Sequence, residues 1–580
     1  MSIFYLKVSC GLALLALSGC GSAPIPQPTP AQKSMQPNEQ LARLVERYWD
    51  EHVAPDNEIS PQLLANSLSI ERRYLAEAGT VPRESLDAAS RLTYDIFKRE
   101  RELLIEGSTY PSELLPINPF WGTPQRFAAG AERLGQQPRA SAADYESWLK
   151  SIDEYVRWTQ QAMLNMREGV RRGYSTPRVL VERMLPVLER LGLDESANVF
   201  YAPLRALPDT IKEPQRGVLA RALSSAISEK LLPANRALHD FLQKDYLPRA
   251  RAGIALSELP LGLQWYAYRV KRATGTLLSP QEINRLGVAE VDRIGAPHAA
   301  PTGAAPAPGA STAGAAITGA AATGAAATGA AATVERVTAY KELKTQVLTA
   351  LPSLFSELPR EDFDIRSAEW LPMPAGAVFY QRAGVDTPAV LYVNAGRGAR
   401  PASIASFLQQ ALPGFHLQLA LQQEHADLPR FRRFGSEPAF TEGWGIYAVA
   451  LGDALGLYSD DSAKAGAAAS EMHCAVALVV DTGVHAMGWT RRQAVEYLRA
   501  HLELEERDAQ ELVDSYAANP ADALACAVGG LKFRAVRARA QQLLGGRFDA
   551  REFHHAILRD GAMPLDILEA KMKAWTDAAR

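Results

Sequence analysis

The sequence predicts a mainly α fold with one small β element, and three observations carry that expectation. Apolar residues recur at helical spacing over long stretches. In 141–171, for example, Tyr145, Leu149, Ile152, Tyr155, Val156, Ala162 and Met163 follow nearly that period. Helix-start signals are strong. Ser279-Pro280-Gln281-Glu282 combines a serine cap, a proline at the first helical position and a glutamate placed to bond back to the cap. Thr490-Arg491-Arg492-Gln493 repeats the device. Only two short runs, 377–381 and 389–393, have strand character, and Ala383 to Pro388 between them predicts a hairpin or short sheet.

In chain order, the first segment is a targeting signal. Lys7 is the only charge in residues 1–20, and the apolar run 8–17 is too short to span a bilayer. Leu17-Ser18-Gly19-Cys20 matches the lipobox of bacterial lipoproteins. Residues 1–20 therefore read as a lipoprotein signal peptide, with Cys20 the lipidated residue; the alternative is an ordinary secretory signal that ends in Cys. Gly21, rather than Asp, follows. Resemblance to other lipoproteins places such a chain in the cell envelope, at the outer membrane facing the periplasm if the organism is Gram-negative. Residues 21–37, rich in Pro, Gln and Ser, read as a flexible tether to that membrane partner.

The remainder, 38–580, reads as one domain. Its length would accommodate three or four, but large helical proteins also form one body in two lobes. With 47% hydrophobic and 22% charged residues the chain can bury a large core, and a net charge of -3 excludes nucleic-acid steering. The domain is interrupted at 295–334 by an Ala/Gly/Thr segment without Asp, Glu, Lys or Arg, containing repeats at 314–318, 319–323, 324–328 and 329–333. A Gly in every repeat costs about 1 kcal/mol of helix stability relative to Ala, so the segment reads as a disordered surface insertion. Helical pattern resumes at Glu335 and, after the β element, again at Ser403; Gly545 and Gly561 mark breaks. Cys474 and Cys526 are the cysteines left to the domain, either as one disulfide or as two buried thiols.

The region 403–424 has Ile404, Phe407, Leu408, Ala411, Leu412 and Phe415 on an amphipathic helix. Pro413-Gly414 in its middle predicts a kink or bulge, since an interior proline costs about 3 kcal/mol. His416 follows. Leu412-Pro413-Gly414-Phe415-His416-Leu417-Gln418, Phe440-Thr441-Glu442-Gly443-Trp444 and the run 479–490 together resemble the bacterial domain-of-unknown-function 885 family. Segments at 113–118, 165–169, 553–554 and 564–566 add to the match, which extends over most of 38–575.

That family looks like a branch of the gluzincin zinc peptidases, so the resemblance implies a large two-lobed gluzincin-peptidase-like helical fold. It also implies a zinc site, with ligands at 409, 415 and 442 and a general base at 410. Here Gln409 and Phe415 replace the first two ligands, Gln410 replaces the base, and only Glu442 remains, with His416 beside it. A catalytic zinc wants three nitrogen, sulfur or carboxylate donors plus water, which Phe415 cannot supply and Gln409 supplies poorly. Gln410 cannot accept a proton from that water. By the same resemblance Asp481 and His485 are retained, with His485 facing the transition-state oxygen. Ala477 stands where the family has Arg. The stretch that typically reads Pro-Gly-Gln-Ala-Leu-Ala-Tyr-Lys is here Pro520 to Ala527, with Cys526 and Ala527 in place of Tyr and Lys.

The chain thus reads as a lipid-anchored homologue of a zinc metallopeptidase that no longer catalyses, with no cofactor expected. It is expected to retain peptide binding through strand addition at 389–393, with Tyr392, Asn394, His416, Glu442, Asp481 and His485 as candidate contacts. One alternative is an active metallopeptidase with unorthodox zinc ligands, drawn from His416, Glu442, His425, His473 and His485. Another is a structural or scaffolding lipoprotein, which packing of Phe415 into the old metal position would favour. Trp444, Tyr447 and Trp489 read as core.

Overall fold

The structure is a computed structural model that describes residues 36–52, 59–137, 140–295, 326–367, 378–384, 387–394 and 403–580. The signal peptide, the tether as far as residue 35 and the repeat segment as far as residue 325 lie outside the described residues.

The amino-terminal half is helical. It contains α1 (Pro37–Glu51), α2 (Pro61–Ala78), α3 (Ala88–Gly107), α4 (Thr123–Gly135), α5 (Ala142–Arg171) and α6 (Arg178–Gly192). These are followed by α7 (Ala202–Arg205), α8 (Gln215–Ser225), α9 (Leu232–Asp240), α10 (Gly262–Thr274), α11 (Pro280–Gly295) and α12 (Ala326–Ala350). The box at Ser279 forms as its residues dictate: Ser279 N donates to Glu282 and Glu282 N donates back to the Ser279 hydroxyl. Helix α12 starts nine residues before the expected Glu335, so the last Ala-rich repeat lies inside it. There the helix preference of Ala outweighs the single Gly of that repeat.

Three strands follow: β1 (Phe363–Ser367), β2 (Val378–Gln381) and β3 (Ala389–Val393). The sheet order is β1-β3-β2. β2 and β3 pair antiparallel, as the predicted hairpin requires, with Tyr380 opposite Leu391. β1 was not anticipated; it pairs parallel with β3, placing Ile365 opposite Leu391. β3 is therefore central, and all five of its residues are buried. This corrects the expectation of strand addition at 389–393, because both hydrogen-bonding edges of β3 are already paired.

The carboxy-terminal half contains α13 (Ile404–Gln410), α14 (Phe415–Glu424), α15 (Arg430–Phe434), α16 (Pro438–Val449) and α17 (Asp461–Ala486). It ends with α18 (Arg491–His501), α19 (Glu506–Ala518), α20 (Leu524–Leu544), α21 (Ala550–Leu558) and α22 (Leu565–Ala578). Gly545 and Gly561, both at positive φ, fall at breaks as expected. The single kinked helix expected over 403–424 is instead two helices. Ala411 (φ -119°, ψ -99°) and Gly414 (φ -75°, ψ -124°) leave helical geometry on either side of Pro413. A Cβ on Gly414 would lie 1.9 Å from the Gln409 carbonyl oxygen, so only glycine fits.

Helices α4 to α9 enclose their own apolar cluster, built on Tyr145, Ile152, Tyr155 and Met166 of α5. A larger cluster joins α1 to α3, the sheet and the helices around α16, and a third is built on α17 to α19. Helix α17 has the length and hydropathy of a membrane span, yet it packs against α11, α18 and α20 inside the protein. Cys474 of α17 and Cys526 of α20 form a disulfide, Cα–Cα 5.8 Å, which settles the alternative left open by the sequence.

Two consequences are measurable. The carboxylate of Asp514, fully buried on α19, accepts from Arg491 of α18 at 2.6 and 2.9 Å and from Arg183 of α6 at 2.7 Å. Asp514→Ala leaves two guanidinium groups without their anion and should cost about 3–5 kcal/mol in denaturant unfolding. The disulfide closes a 52-residue separation. By loop-closure entropy, replacing both cysteines with serine should cost up to about 4 kcal/mol in the same measurement.

Candidate functional site

The segments bearing the recognised motifs do converge. Helix α16 carries Glu442, Gly443, Trp444 and Gly445, and lies against the α13–α14 break. The Trp444 indole N–H donates to the Pro413 carbonyl oxygen at 2.8 Å, which fixes the break onto α16. Gly443 allows α20 to approach closely, since a Cβ there would sit 2.3 Å from Gly529 Cα. Gly445 does the same for the break. A Cβ on Gly445 would meet Phe415 Cε1 at 2.4 Å and Gln409 Cγ at 3.1 Å.

Gln409 and Phe415 thus both meet α16 at Gly445, and both bring packing atoms to the place. Phe415 is 1% exposed, its ring edge against the α16 backbone. Glu442 is buried on the same helix, one turn from Gly445. Gln410 accepts from the backbone N–H of Tyr380 on β2 at 3.2 Å. The side chain thereby ties α13 to the sheet.

His416 is equally committed. Its Nε2 lies 3.1 Å from the Glu361 carbonyl oxygen, which can only accept, so Nε2 carries the proton. Its Nδ1 then accepts from the Tyr380 hydroxyl at 2.9 Å. The ring packs against Phe363 of β1 with centroids 4.5 Å apart. Burial pushes its pKa down to about 4, so it stands neutral with both nitrogens used. Further along α14, Glu424 accepts from the backbone N–H groups of Arg360 and Glu361, both at 2.8 Å. One helix therefore holds the entry to β1 from two sides.

A second retained motif lies in the interior. His485 Nδ1 accepts from Leu256 N at 2.9 Å and Nε2 donates to the Tyr516 carbonyl oxygen at 3.1 Å. Burial pushes its pKa down to about 3. Asp481, four residues earlier, accepts from the Tyr266 hydroxyl at 2.6 Å and from Ala521 N at 3.0 Å. Desolvation raises its carboxyl to about 7. Both are fully buried, and both bind the backbone of other segments. Tyr392 lies near the end of the central strand, close to Arg133 of α4, and Asn394 immediately follows that strand.

The residues do not fit a zinc ion. Phe415 has no donor, both nitrogens of His416 are taken, and His485 is anchored elsewhere. His473 lies beside the disulfide on α17, and His425 closes the far end of α14. Among the described residues, no group of three or more His, Cys, Asp or Glu side chains is arranged to hold a metal. The polar residues that organise this region without being singled out in the sequence are Tyr380, Gln422 and Glu424. Gln418 and Thr441, which lie inside the recognised motifs, bond to each other at 3.1 Å. Gln418 also donates to Gln422 at 2.8 Å, and Gln422 bonds to the Arg432 carbonyl and to Ala562 N.

The chain belongs to the family described as bacterial protein of unknown function (DUF885), whose model matches residues 47–572. Its fold is similar to that of a "putative lipoprotein" from Colwellia psychrerythraea, with TM-score 0.77 and 20% identity over 94% of this chain and 100% of that one. It is also similar to a "putative lipoprotein of unknown function" from Shewanella oneidensis, with TM-score 0.62 and 14% identity over 92% and 99% of the two chains. No curated protein matches.

Neutral buried histidines have a pH signature. His416, His485 and His554 have folded pKa values of about 4, 3 and 4, below the unfolded 6.5. Their contribution to stability is complete above pH 6.5 and is lost as pH falls toward 4, on the order of 3 kcal/mol each by pH 4. Asp481 acts in the opposite sense: its raised pKa makes a contribution that is lost as pH rises through about 7. Glu437 and Glu100, raised to about 8 and about 6 by burial, act in the same sense as Asp481, so the histidine contribution is read as a difference. Between pH 6.5 and 4 the denaturant midpoint of His416→Gln should lose less than that of the parent, and an identical pH dependence contradicts this account.

Proposed function

We propose that this DUF885 member is a lipid-anchored cell-envelope protein in which a peptidase-like centre has become a structural joint without zinc-dependent hydrolysis. The observation that carries this reading is the commitment of the site's side chains to the fold. Phe415 packs on Gly445, Gln410 bonds to β2, and His416 spends both nitrogens between Tyr380 and Glu361. Among the alternatives, this packing favours a structural or scaffolding role over peptide capture, since β3 offers no free edge.

Three features support the location. Leu17-Ser18-Gly19-Cys20 matches a lipobox. A disulfide within the fold suits an oxidising compartment. Two proteins of similar fold are described as putative lipoproteins.

Metal analysis of the purified protein, with peptidase assays with and without added zinc, tests the reading. The expected result is substoichiometric zinc and no turnover. Stoichiometric zinc, or turnover abolished by a chelator, overturns it. A variant combining Gln409→His, Gln410→Glu and Phe415→His restores the family pattern beside Glu442. It is expected to take up zinc yet turn over no peptide, because Ala477, Cys526 and Ala527 still leave the surroundings without the family's polar groups.

A further inference from the structure

The turn that leads into α10 carries a side chain and a surface that the fold does not require. Leu261 has φ 56° and ψ 17°, in the left-handed region, and is 57% exposed. The backbone needs that geometry. Gly262 must approach the Leu256 carbonyl so closely that a Cβ would lie 2.1 Å from its oxygen, and Leu261 O accepts from Trp265 N at 2.8 Å. A glycine or asparagine would meet the same requirement with less strain. A leucine adds steric cost, and most of its side chain is in water.

Leu263, 55% exposed, and exposed Pro260 stand beside it. The tip is rigidly backed. The Tyr174 hydroxyl donates to the Pro260 carbonyl oxygen at 3.3 Å, and that of Tyr110 to the Gln264 carbonyl oxygen at 3.1 Å. Tyr110 also stacks on Trp265. Arg171 and Arg172 are exposed on the adjoining end of α5, with Arg172 over the Tyr174 ring. Glu113 and Glu258 border the same region, so the rim is mixed in charge.

Strain combined with apolar exposure at a fixed tip points to a contact outside the chain. We propose that the tip at 260–263 is a bilayer-contact surface, its leucines entering the interfacial layer. This rests on the lipid anchor proposed above, which keeps a bilayer within reach of every molecule. The distances allow it. Sixteen residues separate Cys20 from Pro37, a reach of about 55 Å when extended. Helix α1 begins beside Asp87 at the start of α3, and the tip lies beside Tyr110, just past its end. The 20 residues of α3 span about 30 Å, less than that reach.

The test uses the chain from residue 20 onward with Cys20→Ser, which retains every described residue but carries no lipid. It is floated with vesicles of phosphatidylcholine, alone and mixed with phosphatidylglycerol. Binding to both is expected, weakened at least about tenfold, or 1.4 kcal/mol, by Leu261→Asn with Leu263→Ser. Leu261→Gly alone should raise the melting temperature while weakening flotation, which separates the surface role from a folding defect. Absence of flotation, equal flotation of the double variant, or binding only to anionic vesicles overturns the proposal. So does a concentration-dependent dimer lost in the same variant, which would make the tip a self-contact. Acyl labelling at Cys20 tests the anchor separately.

Discussion

The interrupted helix at 411–414 is the constraint on which the rest of the site depends. Without the break, α13 and α14 would continue along one axis, and residues 409, 415 and 416 would be spaced by helical geometry alone. With it, the chain turns within four residues. Phe415 is set against Gly445 and His416 against the sheet. The break is held by the indole of Trp444 on the Pro413 carbonyl and by the absence of a side chain at Gly414. Both residues belong to the recognised motifs, and both act here on the backbone.

From this break α14 works as a polar spine inside an apolar core. His416 reaches β2 and the entry to β1; Gln418 reaches α16; Gln422 reaches α15 and the turn before α22; Glu424 closes the entry to β1 again. Such bonds add modestly to stability when made, roughly 1 kcal/mol each. Leaving one buried partner unmade costs about 1–3 kcal/mol, more than forming it contributes. The arrangement therefore resists piecemeal change whether or not a metal is ever bound nearby. Histidine suits position 416 because, when neutral, it donates from one nitrogen and accepts at the other, matching a carbonyl and a hydroxyl.

Much of this was legible in the sequence, for identifiable reasons. The long helices show their period because one face is buried, and the boxes at Ser279 and Thr490 form from local residues alone. The β2–β3 hairpin was legible for the same local reason. β1 was not, because five residues pairing in parallel with a strand 26 positions away carry no local signal. That Gln409 and Phe415 meet α16 was expected from resemblance, not from pattern. The bonding of His416 and Gln410 could not be foreseen, since their partners, Tyr380 and Glu361, are ordinary residues made significant only by the tertiary fold. The pairing of Cys474 with Cys526 was undecidable for the same reason.

The retained and replaced motif positions divide along a physical line. Pro413, Gly414, Gln418, Trp444, Asp481 and His485 each hold backbone geometry, or bond to another segment. At Gln409, Phe415, Ala477, Cys526 and Ala527, which the proposed reading takes as former substrate-facing positions, the chain has amide, apolar or disulfide atoms. Gln410 spans both sets. Its amide is isosteric with a glutamate carboxylate and accepts from Tyr380 N, and unlike a carboxylate it takes up no proton near neutral pH. General-base strength and hydrogen-bond acceptance at one oxygen are separable properties. Of the two, only acceptance is needed to hold β2 in place.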